Sequence, residues 1–163
     1  MQSRFALRKT PFVNSNLLPA LAVIPAVLLF LSGCATGSGS GSPATAESLA
    51  RLENVDLKCT GLVVQGAPLT LPSDAGITLR FTGPGKVAGR SAVNRYFGGY
   101  TLGSAGAIQW TPFGSTRMAG PPERMQLENQ FLKALESTSR AEVTQQGLVL
   151  QSTDASTRVE FSR

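Results

Sequence analysis

The sequence contains no histidine, only two cysteines among its 163 residues, and a charged fraction of 15%. Without histidine there can be no Ser-His-Asp triad, no Cys-His dyad, no histidine-bearing zinc site and no imidazole general base. The groups that remain for chemistry are ten carboxylates, two thiols and some hydroxyls. We therefore expect a protein that is not an enzyme and that carries neither a metal ion nor a cofactor.

A concentrated basic surface is also missing from the sequence. Of the 15 Lys and Arg residues, Arg4, Arg8 and Lys9 precede the first apolar run. The remaining 12 basic side chains are interspersed with the 10 acidic ones, which leaves a net charge of about +2. Because nucleic-acid binding requires clustered positive charge, we exclude nucleic acid as a partner.

The longest apolar run is too short to cross a bilayer comfortably. It covers residues 17–30 and includes Pro19 and Pro25, whereas a membrane-spanning helix needs roughly twenty residues. A basic start, a short apolar centre and small residues behind it are typical of a secretory signal peptide. We predict such a peptide over residues 1–33, with a short membrane anchor or a buried helix as the alternatives.

The apolar run ends in Leu31, Ser32, Gly33 and Cys34. These residues resemble the bacterial lipobox, in which a leucine lies three residues before an obligatory cysteine and small residues stand between them. The resemblance implies a diacylglyceryl thioether on Cys34, cleavage before it and acylation of the new amino terminus. Two or three acyl chains hold a protein stably on a membrane. Ala35, in place of aspartate, implies the periplasmic face of the outer membrane in an organism with two membranes.

Residues 34–50 are predicted to be the lipidated cysteine and a Gly/Ser-rich tether. The twelve residues 35–46 have nothing to bury, and a flexible segment of that length reaches roughly 20 Å. Such a tether lifts a small domain off the lipid headgroups. Residues 51–163 then remain as one folded domain with one core.

Most of this domain is predicted to consist of short strands. Residues 77–81, 148–150 and 158–161 alternate apolar with polar side chains, which indicates one buried and one solvated face. Turn-forming sequences rich in Gly, Pro, Ser and Asp separate these runs. Alternation of this kind favours antiparallel pairing.

One segment, residues 121–139, has helical rather than strand periodicity. It begins with two prolines and contains no glycine, which suits the first turn and the body of a helix. Its apolar residues gather on one side at spacings of three and four, and we place Glu128, Lys133 and Glu136 elsewhere on the helix. We expect an amphipathic helix packed on the sheet, with a partner surface as the alternative role of its apolar stripe.

Three blocks in order carry a family resemblance: residues 85–100 (GKVAGRSAVNRYFGGY), residues 115–119 (STRMA), and the helix with Glu128, Phe131 and Leu135. Together they resemble the META domain, or HslJ, family over roughly residues 54–162. The resemblance implies a small strand-rich domain in envelope, secreted or heat-shock-associated proteins, with no established catalytic activity. The expected fold class is α+β, a curved antiparallel sheet or partly open barrel with one amphipathic helix packed on it.

The chain departs from this family pattern at Val93 and Gly120, where many relatives have cysteine. Cysteines that are lost together are expected to be partners, so the resemblance implies that this domain lacks their bridge. Val93 should then pack as an ordinary core residue. Cys59 matches neither position, and we expect a small buried hydrophobic residue there rather than a reactive thiol.

Asn94, Arg95 and Arg117 are the polar positions inside the family blocks, and several aromatic residues lie near them. In one interpretation the arginines meet an anionic group in a cleft while the aromatics hold an apolar or sugar-like surface. In the other, Asn94 hydrogen-bonds its own turn and the aromatics fill the core. The residues that this second interpretation places inside are Tyr96, Phe97, Tyr100 and Trp110.

The sequence therefore predicts a lipid-anchored, non-enzymatic envelope protein that binds or supports other envelope components, in part under stress. Its expected partners are the membrane, through the lipid anchor, and an unidentified envelope protein or small ligand. A carrier of small apolar ligands, or a pilotin-like chaperone, is the first alternative and requires an internal apolar cavity or groove. An inhibitor of a wall-degrading enzyme is the second, and requires an exposed loop of clustered polar groups.

Overall fold

The computed structural model describes residues 41–163. The predicted signal peptide, Cys34 and most of the predicted tether lie outside these residues. Two α-helices lie in the described part, and neither is long and apolar enough to cross a membrane. The elements in chain order are β1 (Ser42–Pro43), α1 (Ala46–Ala50), β2 (Leu57–Val64), β3 (Ala67–Pro68), β4 (Thr78–Gly83), β5 (Lys86–Arg90), β6 (Arg95–Leu102), a 3₁₀ turn (Ser104–Gly106), β7 (Ile108–Trp110), β8 (Gly114–Ser115), α2 (Pro122–Ser137), β9 (Arg140–Val143), β10 (Gly147–Gln151) and β11 (Arg158–Ser162).

The strands form one curled antiparallel sheet in the order β1-β9-β10-β11-β2-β4-β5-β6-β7, with β3 beside β2 and β8 beside β6. Its two ends approach each other, because Ala107 forms a bridge with Arg140 and the Ile108 amide donates to the Ser139 carbonyl at 2.9 Å. The result is a half-barrel. With the single long helix α2, it confirms the predicted α+β class.

Alternation along the strands decides which side chains enter the core. On β4, Leu79 and Phe81 are buried while Arg80 between them faces outward. On β11, Val159 and Phe161 are buried in the same way. The predicted strands at 77–81, 148–150 and 158–161 therefore correspond to β4, β10 and β11.

Helix α2 packs its apolar stripe on the inner face of the sheet. Leu127, Phe131 and Leu135 are buried, and the Phe131 ring meets Tyr96 and Phe161 edge-on, with centroids 5.7 and 6.4 Å apart. The helix and its core role were predicted from the sequence. The surface stripe that would have served a partner is thus occupied by the protein's own sheet.

The predicted end of the tether at residue 50 is wrong. Within that segment β1 pairs with β9, and the Ala44 amide donates to the Ala141 carbonyl at 2.9 Å. Thr45 then caps α1 through a reciprocal capping box with Ser48. Leu49 of α1 is buried in the core, so this stretch belongs to the folded domain because it covers a strand edge and buries apolar surface.

Candidate functional site

A buried carboxylate, that of Glu128, organises the polar interior. Its Oε2 atom accepts hydrogen bonds from the Asn94 amide at 2.7 Å, the Ser91 hydroxyl at 2.9 Å and the Val93 amide at 3.2 Å. Its Oε1 atom accepts one from Asn94 Nδ2 at 2.9 Å. The sequence interpretation placed Glu128 away from the apolar face, which is wrong. It is only 5% exposed, because the loop between β5 and β6 supplies the donors that a buried carboxylate needs.

The same contacts set the protonation of this carboxylate. Burial alone raises the pKa of Glu128, but the hydrogen bonds from Asn94, Ser91 and Val93 outweigh it and hold the pKa below its ordinary value of 4.5. Hydrogen bonds to the charged form favour that form. Glu128 is therefore an ionised, hydrogen-bonded anchor of the helix.

Asn94 extends this network to a third segment. Its side-chain oxygen accepts from the Thr116 hydroxyl and from the Met118 amide, both at 2.8 Å, and its Nδ2 atom also approaches the Met118 carbonyl at 3.3 Å. We call these residues the Glu128 cluster: Ser91, Val93, Asn94, Thr116, Met118 and Glu128. Asn94 bonds its own turn through its carbonyl, which accepts from the Ser91 amide at 2.9 Å and the Ser91 hydroxyl at 3.1 Å. Its side chain joins α2 and the segment after β8.

An open depression of about 570 Å³ lies on the outer face of the sheet, over β4, β5 and β6. Strand alternation places its side chains there, since outward positions of the three strands lie side by side in the register. We call it the outer groove; it is lined by Asp56, Thr78, Arg80, Thr82, Ala88, Gly89, Arg90, Arg95, Tyr96 and Phe97.

Of the three arginines that line the outer groove, one forms an ion pair within residues 41–163. Arg80 Nε donates to Asp56 Oδ1 at 2.8 Å, and its Nη2 atom contacts the other carboxylate oxygen. This ion pair lowers the pKa of Asp56 through its hydrogen bond with Arg80. Arg90 and Arg95 stand directly opposite each other on β5 and β6. None of the ion pairs within residues 41–163 includes either of them.

Phe97 contributes an exposed aromatic ring to the outer groove. It is 61% exposed, so the expectation that all four aromatics fill the core is wrong at this position. Tyr96 is buried, and Tyr100 and Trp110 pack partly buried against the core. The Phe97 ring lies against Gly114 of β8, where an added Cβ would meet it at 2.7 Å. The ring therefore packs on the glycine backbone at one edge, and most of it is open to solvent.

The floor of the outer groove depends on a close approach between β4 and β5. The Tyr96 hydroxyl donates to the Thr78 carbonyl at 2.8 Å. A Cβ on Gly89 would lie 2.1 Å from that same carbonyl oxygen and 2.8 Å from the Tyr96 ring. Only glycine leaves room for the ring to pass beneath the groove.

The three polar positions that the sequence singled out lie in three different places in the structure. Asn94 belongs to the Glu128 cluster, Arg95 lines the outer groove, and Arg117 is exposed outside the residues that line it. Sequence reasoning missed Arg80 and Arg90 as neighbours of Arg95, since only the strand register brings them together.

Val93 and Gly120 are adjacent. An added Cβ on Gly120 would lie 3.5 Å from Val93 Cβ and 2.8 Å from Val93 Cγ2. Val93 is half-buried rather than a full core residue. Cys59 is a free, partly buried thiol whose pKa is raised to about 12, chiefly by burial, which matches the expected unreactive residue.

A second depression of about 550 Å³ lies near the seam of the half-barrel. Ser139, Arg140, Ser152 and Thr153 are among its lining residues, so its walls are mainly polar. Among residues 41–163 no group of three or more His, Cys, Asp or Glu side chains is arranged to hold a metal ion.

The model of the META domain family matches residues 50–163. The chain belongs to this family. The Glu128 cluster joins all three blocks on which the resemblance rested, because Asn94, Met118 and Glu128 come from one block each. In this META domain, the polar residues shared between blocks therefore fasten the helix to the sheet. No curated protein sequence matches the chain.

Solved structures support the same fold. A protein from Burkholderia xenovorans, determined by NMR, is 25% identical with a TM-score of 0.60, over 78% of this chain and 94% of that one. A crystal structure of a DUF4847 family protein from Bacteroides vulgatus is 12% identical with a TM-score of 0.53, over 69% and 94% of the two chains. The META domain thus shares its architecture with proteins of low sequence identity.

Proposed function

We propose that this META-domain protein is a lipid-anchored, non-enzymatic binding module of the bacterial cell envelope. Cys34 carries the lipid, on the sequence pattern Leu31-Ser32-Gly33-Cys34 behind a short apolar run. The domain binds an envelope component and places it close to the membrane surface. The location of the anchor depends on whether the organism has one membrane or two. In an organism with two membranes, the proposed location is the outer membrane.

The observation that carries the binding role is the outer groove. Like charges that stand directly opposite each other on neighbouring strands are destabilising. Arg90 and Arg95 face each other beside the exposed ring of Phe97. Neither takes part in any ion pair of residues 41–163. Repulsion between the two arginine charges destabilises the free protein. A ligand that supplies negative charge and apolar contact would remove this repulsion.

The position of β1 adds a distance limit to this proposal. The first described strand begins at Ser42, and seven residues stand between it and Cys34 in the sequence. Seven residues reach at most about 25 Å when fully extended. The proposed anchor therefore keeps β1 within about 25 Å of the lipid-bearing cysteine.

Metabolic labelling with a fatty-acid analogue tests the anchor. We compare the parent chain with Cys34→Ala, and use Cys59→Ala as the matched control because it removes the only other thiol. The parent and Cys59→Ala should be labelled and should remain with membranes, while Cys34→Ala should lose the label. Equal labelling of the parent and Cys34→Ala would overturn the lipoprotein proposal.

Crosslinking in intact cells tests the binding role. The parent is compared with Arg90→Ser/Arg95→Ser and with Lys133→Ser/Arg163→Ser, which removes the same charge from sites outside the outer groove. We expect a crosslinked component whose yield falls only in the groove variant. A yield that falls equally in both variants, or in neither, would remove the outer groove from the proposed function.

A further inference from the structure

We propose that the outer groove is a binding site for a phosphomonoester carried on a ring-shaped or apolar group. This inference rests on the binding role proposed above and names its ligand class. Arg90 and Arg95 bind the phosphate, and the exposed Phe97 ring contacts the group that bears it. The juxtaposition of two arginines that form no ion pair within residues 41–163 with a solvent-exposed phenyl ring carries the argument.

The charge balance of the groove selects a dianion. Four ionised side chains line it, Asp56, Arg80, Arg90 and Arg95. Asp56 neutralises Arg80 directly, so two positive charges remain. A phosphomonoester carries about −1.5 to −2 charges near pH 7 and matches this excess, whereas a carboxylate or a phosphodiester would leave one arginine unbalanced.

The register places the two free guanidinium groups for joint recognition. Arg90 and Arg95 are direct partners across β5 and β6, and Cβ atoms of such partners lie about 4.5–5.5 Å apart. Both side chains are exposed and extend from the outer face. Each guanidinium can offer a planar fork of N–H donors to phosphate oxygens, and the Thr78 and Thr82 hydroxyls line the same groove.

Phe97 supplies the second half of the specificity. It lies two residues along β6 from Arg95, on the same outward face, and opposite Ala88 of β5. Ala88 is small, so the ring borders an open area rather than another side chain. The edge of the ring also lies over Gly114 of β8, which leaves much of the ring exposed to a ligand.

The charge balance favours a soluble ligand over a headgroup of the anchoring membrane. Most phospholipid headgroups are phosphodiesters with one negative charge on the phosphate, and such a group would leave one of the two arginines unbalanced. A soluble phosphomonoester supplies about −1.5 to −2 charges near pH 7.

The test measures binding of phenyl phosphate to the full chain, produced in a bacterial host and purified in detergent, by NMR titration. Inorganic phosphate lacks the ring and benzyl alcohol lacks the charge, so these two probes separate the halves of the site. Phenyl phosphate should bind saturably and at least tenfold more tightly than either. Failure of saturable phenyl phosphate binding at millimolar concentration would overturn the proposal.

The variants assign the interaction to its residues. Arg90→Ser/Arg95→Ser should weaken phenyl phosphate binding at least tenfold, and Lys133→Ser/Arg163→Ser should leave it unchanged. Phe97→Ser should abolish the advantage of phenyl phosphate over inorganic phosphate without weakening inorganic phosphate itself. Equal losses in the two arginine-containing double variants, or an advantage that survives Phe97→Ser, would refute the assignment. Unchanged circular dichroism shows that each variant is folded.

A lysine replacement distinguishes the loss of arginine contacts from a loss of binding caused by a change in structure. Arg90→Lys/Arg95→Lys keeps both charges but removes the planar forks, so it should bind phenyl phosphate between the parent and the serine variant. Binding as weak as that of the serine variant would also support recognition by the guanidinium forks, because the two lysine charges alone would then not hold the phosphate. Binding equal to the parent would contradict recognition by the guanidinium forks.

Two further probes identify the source of the phosphate. Glucose 1-phosphate represents a soluble phosphomonoester, and phosphatidic acid in phosphatidylcholine vesicles represents a lipid one. We expect groove-dependent binding of glucose 1-phosphate; binding only to the vesicles would overturn the soluble source. The titrations measure ligand binding, and the labelling of Cys34→Ala measures lipidation. A failure of the proposed ligand class is therefore observed separately from a failure of the proposed lipid anchor.

Discussion

Asn94 donates both its backbone amide and its side-chain amide to the carboxylate of Glu128, at 2.7 and 2.9 Å. These two residues are 34 positions apart in sequence, and their contact joins the loop before β6 to the middle of α2. Because Asn94 also accepts hydrogen bonds from Thr116 and Met118, one side chain holds three segments together. The outer groove begins at the next residue, Arg95.

Replacing Glu128 with alanine should destabilise the domain by about 2–4 kcal/mol, because the buried donors of Ser91, Val93 and Asn94 lose their acceptor. Glu136 lies on an exposed part of the same helix, and Glu136→Ala should change the free energy of unfolding by less than about 0.5 kcal/mol. Urea denaturation measures both. Equal effects of the two substitutions would contradict the anchoring role of Glu128.

The lowered pKa of Glu128 predicts a loss of stability in acid. Since the folded-state pKa lies below 4.5, the stabilisation is fully present above that value and disappears as pH falls through the folded-state pKa. Glu128→Gln cannot titrate, so the stability difference from the parent should shrink between about pH 7 and about pH 3. Asp56 and Asp154 titrate in both chains and cancel from the difference. A difference independent of pH would refute this assignment.

A disulfide should form between cysteines placed at positions 93 and 120. The Cβ separation of 3.5 Å falls within the range that disulfides require. Closing this loop should raise the free energy of unfolding of Val93→Cys/Gly120→Cys by about 3 kcal/mol in the oxidised over the reduced form. Peptide mapping distinguishes this bridge from one involving Cys59. A double variant that resists oxidation would place the two segments further apart than described.

Gly89→Ala should cost at least about 2 kcal/mol of stability, because its methyl group would overlap the Thr78 carbonyl oxygen and the Tyr96 ring. Gly103→Ala is the matched control, since its methyl group would meet Ala107 at an ordinary 3.5 Å. The control should stay within about 0.5 kcal/mol of the parent. Thermal unfolding followed by the Trp110 signal compares the variants, and a tolerated Gly89→Ala would contradict the packing of the groove floor.

The parts of the fold that local pattern determines were predictable. Helix α2 follows from two prolines, an absence of glycine and apolar spacing, and β4 and β11 follow from alternation bounded by turns. The burial of Glu128 was accessible too, because it lies seven residues from Leu135 and so on the same helix face. Grouping Glu128 with Lys133 and Glu136, away from the apolar side of the helix, concealed its burial.

The remaining features depend on partners distant in sequence. Strand β1 has two residues, and its conformation is stabilised by pairing with β9, so its Ser-Pro composition gave no strand signal. Arg90 and Arg95 meet because the loop of the Glu128 cluster sets the register of β5 against β6. Phe97 has the composition of a core residue, and only the strand's orientation shows that it faces outward.

The short pairing of β1 with β9 has a mechanical consequence. A pull on the amino-terminal side of the domain reaches two paired residues first, and then α1, whose Leu49 is buried in the core. The first step detaches a strand of minimal length, while the second must extract an apolar side chain into water. Tension along the chain would therefore lengthen the connection before it unravels the body of the protein.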